Sequence, residues 1–277
     1  MLGYLRSGNK RIKAIWWTLT IVTVLSFLIG FSFMGSMGRN AGDARQGNSL
    51  GSINSERVTN PMWVRYLGEA QQRFVQSYGT AWFALHRRAR AQAGEWLLVL
   101  GAGGGIGLAA VDVGRAMGLH VIAAASSEAK RELALSYGAE ATIDTSTEDV
   151  KTRAKELSGG GVHIVYDSVG GALAEAGLRA LRDDGQLLVL GFAGGEIPKL
   201  PANQILLRNR RVTGVDWGGW VGGHQKENAA MLAEVLTAIE AGQLRPVEPK
   251  AYPLADVAVA LQDQVDRRVV GKSVLVP

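Results

Sequence analysis

The pattern of apolar and polar positions divides the chain into two stretches of different character. Near the start, Ile15 to Phe33 is dominated by Trp, Leu, Ile, Val and Phe, inside an uncharged run from Ala14 to Gly38. A helix needs about 20 such residues to cross the hydrocarbon core of a bilayer. Thr18, Thr20, Thr23 and Ser26 can return their hydroxyls to backbone carbonyls and so do not break the pattern. Arg6, Lys10, Arg11 and Lys13 precede the run, and Trp16 and Trp17 stand where an interfacial aromatic belt would lie. A cleaved signal peptide would have a shorter apolar region and a small-residue cleavage site. The expectation is therefore an uncleaved single-pass membrane anchor with a cytoplasmic N-terminus.

Residues 40–48 are rich in Gly, Asn and Ala, as in a flexible linker. Gly51 to Val58 reads as a short strand and turn. Pro61 to Tyr78 reads as a helix, because Trp63, Tyr66, Leu67, Ala70, Phe74 and Tyr78 recur close to the 3.6 period.

After Thr80 the pattern changes to compact apolar runs separated by helical stretches. The runs are Glu95 to Gly101, Leu119 to Ala125, Ala139 to Asp144, Val162 to Asp167, Gly185 to Phe192 and Arg211 to Asp216. Between them, helices are predicted from the glycine turn to Met117, over Ala172 to Leu181 and over Gln225 to Gly242. Continuous apolar runs fit strands buried on both faces of a parallel sheet. The fold class is α/β, a doubly wound parallel sheet of the Rossmann type, preceded by a transmembrane helix and a short helical segment. The boundaries are 1–38 for the basic segment and anchor, 39–79 for the linker and helix, and 80–277 for the nucleotide domain.

The candidate chemistry lies at the first strand-to-helix corner, Gly101-Ala-Gly-Gly-Gly-Ile-Gly107. The turn must be tight, its backbone must approach a pyrophosphate without Cβ atoms in the way, and the helix N-terminus offers free N–H groups to the anion. The spacing is G-x-x-G-x-x-G over Gly101, Gly104 and Gly107, with Gly103, Gly105 and Ile106 completing the cradle. An NAD site usually carries Asp or Glu at the end of the second strand. Here that strand ends in Ser126 and Ser127, with Lys130 and Arg131 just beyond, which suits a 2′-phosphate. The expected cofactor is NADPH. Glycine pairs at Gly170-Gly171 and Gly194-Gly195 end later strands on the same sheet edge.

Composition narrows the rest. There are no cysteines, which removes disulfides, thiolate metal sites and cysteine nucleophiles. The four histidines lack metal-ligand spacing, so no metal is expected. The net charge of +5 is scattered apart from short clusters at Lys10–Lys13, His86–Arg90 and Arg208–Arg211, and no reading module accompanies it. No nucleic-acid partner is expected.

Two resemblances follow from these motifs. Residues 1–13, Trp16-Trp17, the apolar span and Gly51 to Thr59 resemble the start of membrane-anchored periplasmic peptidyl-prolyl isomerases with a SurA-like N-terminal region. That resemblance ends near Tyr78, and no isomerase domain follows. Tyr78-Gly-Thr-Ala-Trp-Phe-Ala-Leu85, Gly94 to Ala109, Asp167-Ser-Val-Gly-Gly171, Gly191-Phe-Ala-Gly-Gly195, Asn209 with Gly214, and Gly271-Lys-Ser-Val-Leu275 resemble zinc-independent NADPH:quinone oxidoreductases of the medium-chain dehydrogenase class. By position, this second resemblance implies pyrophosphate contacts from Gly103 to Gly107. It also implies 2′-phosphate contacts from Ser127, Lys130 and Tyr137. Gly191, Phe192, Ala193 and Asn209 would then lie near the nicotinamide and its ribose. No catalytic side chain is required. The implied reaction is hydride delivery to a small acceptor, a quinone or activated alkene. The rival readings are a nucleotide-binding chain without turnover and a membrane-anchored chaperone fragment.

In that family a GroES-like domain precedes the nucleotide domain, and here residues 1–78 stand in its place, as in a fusion or a truncation. The closing strands, around Val247 to Tyr252 and Gly271 to Val276, are then expected to expose apolar surface and strand edge, favouring homo-oligomers.

Overall fold

The computed structural model describes residues 49–53, 56–59, 76–247, 249–266 and 268–276. The expected anchor over Ala14 to Gly38, the linker from Asn40 to Asn48 and most of the helix expected from Pro61 lie outside the described residues. Among the described residues no helix is long and apolar enough to cross a membrane. The chain divides into two compact units, 1–63 and 64–277. In the first, β1 (Ser49–Ile53) and β2 (Glu56–Thr59) pair antiparallel, so the expected strand and turn is a hairpin.

The second unit opens with a helix at 76–82 that continues as a π-helical segment, Phe83–Ala89; the two together are α1. The helix expected to end at Tyr78 thus runs further, because Ala81, Phe83, Ala84 and Leu85 are all buried and continue its apolar face. Next come β3 (Trp96–Leu100), α2 (Gly105–Ala116), β4 (His120–Ala125), α3 (Glu128–Ser136) and β5 (Ala141–Asp144). They are followed by α4 (Val150–Leu157), β6 (Val162–Asp167), α5 (Gly171–Ala180), β7 (Leu181–Val189), α6 (Ala202–Leu206) and β8 (Arg211–Gly214). The chain closes with α7 (Trp217–Val221), α8 (Gln225–Glu240), β9 (Lys250–Pro253), α9 (Val257–Val265) and β10 (Ser273–Val276).

Strands β3 to β8 form one parallel sheet in the order β5-β4-β3-β6-β7-β8. The order reverses beside β3, so the crevice outside the C-terminal ends of β3 and β6 is the switch point of a doubly wound sheet. Alternation along each strand feeds two cores. Leu97, Val99, Val121, Ala123, Ile164 and Tyr166 join the layer built from α1, α2 and α8. Leu98, Leu100, Ile122, Ala124 and Val165 join the opposite layer with α4 and α5. Both faces being covered, the strands read as unbroken apolar runs.

Two strand boundaries differ from expectation. Strand β7 begins at Leu181 instead of Gly185, because the exposed Arg182, Asp183 and Asp184 sit in an irregular register opposite Val162 to Ile164 and carry no apolar signal. It ends at Val189, since the next residues leave the ladder to bond the loop after β6. Strand β8 stops at Gly214 because the Asp216 side chain accepts from the Gly219 N–H at 2.9 Å and starts α7. The closing strands β9 and β10 pair with each other in parallel, separate from the main sheet. Val259, Leu261 and Val265 of α9 are exposed beside them, as are Leu275 and Val276.

Candidate cofactor-binding site

The first βα corner is built on backbone bonds. Gly101 takes φ +72°, and the N–H groups of Gly101 and Ala102 both donate to Ala124 O at 3.1 Å, tying the turn to β4. Gly104 N–H donates to Gly101 O, and Gly104 caps α2 without a side chain. The first-turn N–H groups of Gly105, Ile106 and Gly107 lack carbonyl partners one turn back. Gly104 and Ile106 are exposed, and no acidic residue stands in that first turn. The end of α2 therefore presents uncapped donors and the positive end of its dipole to the switch point.

Close approach explains the glycines. A Cβ on Gly107 would lie 2.3 Å from Gly101 O, so the helix could not start where it does with any side chain there. A Cβ on Gly103 would meet the Lys130 stem at 2.4 Å, and one on Gly105 the Lys272 stem at 2.8 Å. The turn is thus bracketed by two lysine stems. Gly271 N–H donates to Gly103 O at 2.9 Å, which fixes Lys272 in this position.

The loops after β6 and β7 join the same edge. Ser168 and Val169 pack on Gly101, and Ser168 Oγ donates to Leu100 O at 3.4 Å. Ala193 N–H donates to Ser168 O and Gly194 N–H to Val169 O, while Gly171 N–H donates to Glu196 O. Gly191, Phe192 and Ala193 therefore stand beside the switch point, with Phe192 exposed. Asp167 ends β6 with its Oδ1 accepting from Val169 N–H at 2.9 Å and Gly170 N–H at 3.0 Å. Its Oδ2 is buried without a hydrogen-bond partner among the described residues. Burial pushes its carboxyl above the usual carboxylate range, although the two N–H groups oppose this.

At the end of β4, Ser126 and Ser127 are exposed, and Glu128 opens α3 pointing to solvent. Lys130 reaches back over Gly103. Arg131 has a different job: it donates to Ala125 O and pairs with Asp144 at 3.0 Å, joining β4 to β5.

Two expected contacts are not brought to this edge. Tyr137 caps the far end of α3, about 15 Å along the helix axis from Ser127. There it lies under Arg245, whose guanidinium is 5.5 Å from the ring centroid. Asn209 precedes β8, so it lies at the N-terminal edge of the parallel sheet. Its backbone is left-handed at φ +49°, a conformation Asn adopts more readily than most residues. Lys272 was given no role by sequence reasoning, although the Gly271-Lys-Ser-Val-Leu275 motif contains it. Among the described residues no group of three or more His, Asp or Glu side chains is placed to hold a metal ion.

Residues 105–237 match the zinc-binding dehydrogenase domain family. The chain is 38% identical over 201 residues to the quinone oxidoreductase-like protein 2 of Bos taurus, covering 72% of this chain and 58% of that protein. The structure superposes on the quinone oxidoreductase of Thermus thermophilus, also solved as its NADPH complex, with TM-score 0.63 and 35% identity. That match covers 72% of this chain and 63% of the other. The Escherichia coli quinone oxidoreductase complexed with NADPH gives TM-score 0.65 and 28% identity, with the same coverage. The chain thus spans 55–58% of the length of the first quinone oxidoreductase-like relatives. The resemblance of residues 1–78 to membrane-anchored isomerases finds no support among these relatives. Over these residues the chain is thus similar to zinc-binding dehydrogenase domains and to quinone oxidoreductases.

Proposed function

We propose that this chain binds NADPH at the C-terminal edge of its six-stranded sheet and acts as an oxidoreductase toward a quinone or activated alkene. The observation that carries the reading is the uncapped start of α2, where Gly103 and Gly105 leave only enough room for the stems of Lys130 and Lys272. Such a cradle fits a diphosphate, which the backbone N–H groups would face with Lys272 beside them. Ser126, Ser127 and Lys130 stand where a 2′-phosphate would be held, in a position where a carboxylate would repel it. Gly191 to Ala193, with the exposed Phe192 ring, would support the nicotinamide end. Bound NADPH supplies a hydride, and the chain's own contribution is to hold the cofactor and orient the acceptor against it. The NADPH complexes of the Thermus and Escherichia relatives support the cofactor, and their being quinone oxidoreductases supports the acceptor class.

Titration of the full-length chain with NADPH, followed by nicotinamide fluorescence, tests the first half of this reading. Oxidation of the bound cofactor by a model quinone tests the second. Binding without oxidation would restrict the role to nucleotide binding, and absence of binding would remove the assignment.

A further inference from the structure

At the opposite edge of the sheet, the starts of β6 and β7 frame a cavity of about 390 Å³. Lys155, Arg182, Arg208 and Arg210 line it, against only two carboxylates, Asp183 and Asp184. Arg208 pairs with Asp183 at 3.0 Å. Arg182 is in contact with His163 Nε2 at 2.7 Å. The remaining two cations have no acidic partner within salt-bridge distance among the described residues. Arg210 is only 7% exposed and donates to the carbonyls of Leu181 and Arg182. Lys155 stands in the last turn of α4. A helix C-terminus favours a cation there, which accounts for one such charge and not for the whole group.

The floor of the cavity is the turn Gly159–Gly161, all at positive φ. Nothing lies within 4 Å of where a side chain would stand on Gly159 or Gly160, so the backbone is open to an approaching group. Burial, together with Arg210, Lys151 and Arg208, pushes the Lys155 amine below its ordinary range. Burial and Arg208 do the same to Arg210. Burial is the larger cause in both, the like charges add to it, and Asp183 opposes it.

We infer that this cavity binds a small phosphorylated compound, its phosphate held by Lys155 and Arg208 against the open glycine turn. Guanidinium groups match phosphate oxygens in a planar fork, and an ammonium adds a point charge. The volume lies within the range of small-molecule sites and leaves room for more than one phosphate. The site is separated from the glycine corner by the length of β7, about 26 Å. A ligand here therefore does not compete with one at the cofactor edge.

The test is calorimetric titration of the full-length chain with inorganic pyrophosphate at saturating NADPH, which occupies the glycine corner. Lys155→Met, which keeps the aliphatic stem, and Arg208→Gln should each raise the dissociation constant about tenfold or more. Lys155→Met should leave NADPH binding unchanged. Circular dichroism establishes that each variant is folded. The inference fails if the unaltered chain takes up no pyrophosphate at millimolar concentration. It fails equally if Lys155→Met and Arg208→Gln leave pyrophosphate affinity unchanged.

Discussion

The Tyr78 hydroxyl donates a 3.0 Å hydrogen bond to Asp112 Oδ2 and so ties α1 to the middle of α2. Asp112 is fully buried, and it also accepts from the Arg245 backbone N–H and from the Arg115 guanidinium at 2.7 Å. Burial and the adjacent carboxylate push the Tyr78 phenol far above its ordinary range, so it stays a donor at any working pH. The helix that carries the glycine corner is therefore anchored from behind by one carboxylate.

Removing that carboxylate strands the buried Tyr78 hydroxyl together with the partly buried Arg245 N–H and Arg115 guanidinium. Asp112→Ala should cost about 3–5 kcal/mol, whereas Tyr78→Phe removes a single hydrogen bond and should cost about 1 kcal/mol. Urea denaturation gives both values. Equal costs would show that Asp112 is not the centre of the network.

Two close-packed glycines of the corner should respond through different helices. At Gly107 an added methyl meets backbone, which cannot yield without moving α2, so Gly107→Ala should lose about 1–3 kcal/mol of stability together with NADPH affinity. At Gly103 the obstacle is the near end of the Lys130 side chain, its Cβ at 2.5 Å, which cannot yield without moving α3. Gly103→Ala should then also lose about 1–3 kcal/mol of stability, and it should weaken NADPH more than NADH through displacement of Lys130. Thermal melts paired with fluorescence titration separate the two.

Lys130 and Lys272 should divide the phosphates between them. Lys130→Ala is expected to weaken NADPH about tenfold or more and NADH far less, because only NADPH carries the 2′-phosphate. Lys272→Ala, over Gly105, should weaken both cofactors alike. Dissociation constants for the four pairs decide it; parallel losses in both variants would remove the 2′-phosphate role from Lys130.

Asn209 and Tyr137 provide the negative controls. Asn209→Ala forces a side chain with no local hydrogen bond into left-handed backbone and should cost about 1–2 kcal/mol. NADPH affinity should be unchanged in that variant and in Tyr137→Phe. A cofactor titration showing loss in either one would return that residue to the cofactor edge.

The strands, the glycine corner and the fold class were legible in the sequence because each is written locally. Runs such as Trp96 to Leu100 are apolar throughout since both faces are covered, and glycines stand where the backbone turns or is approached. The start of β7 was not legible, because Arg182 to Asp184 belong to a strand by register and not by hydrophobic pattern. Which edge a residue reaches was decided by the tertiary structure. In a parallel sheet, residues before a strand and after it fall at opposite ends, so Asn209 and Gly191 part company although both resemble cofactor contacts. Lys272 reaches Gly105 only because the chain returns, through Gly271, to the first corner. Contacts between residues so far apart in sequence leave no local signature, and only the folded backbone brings them together.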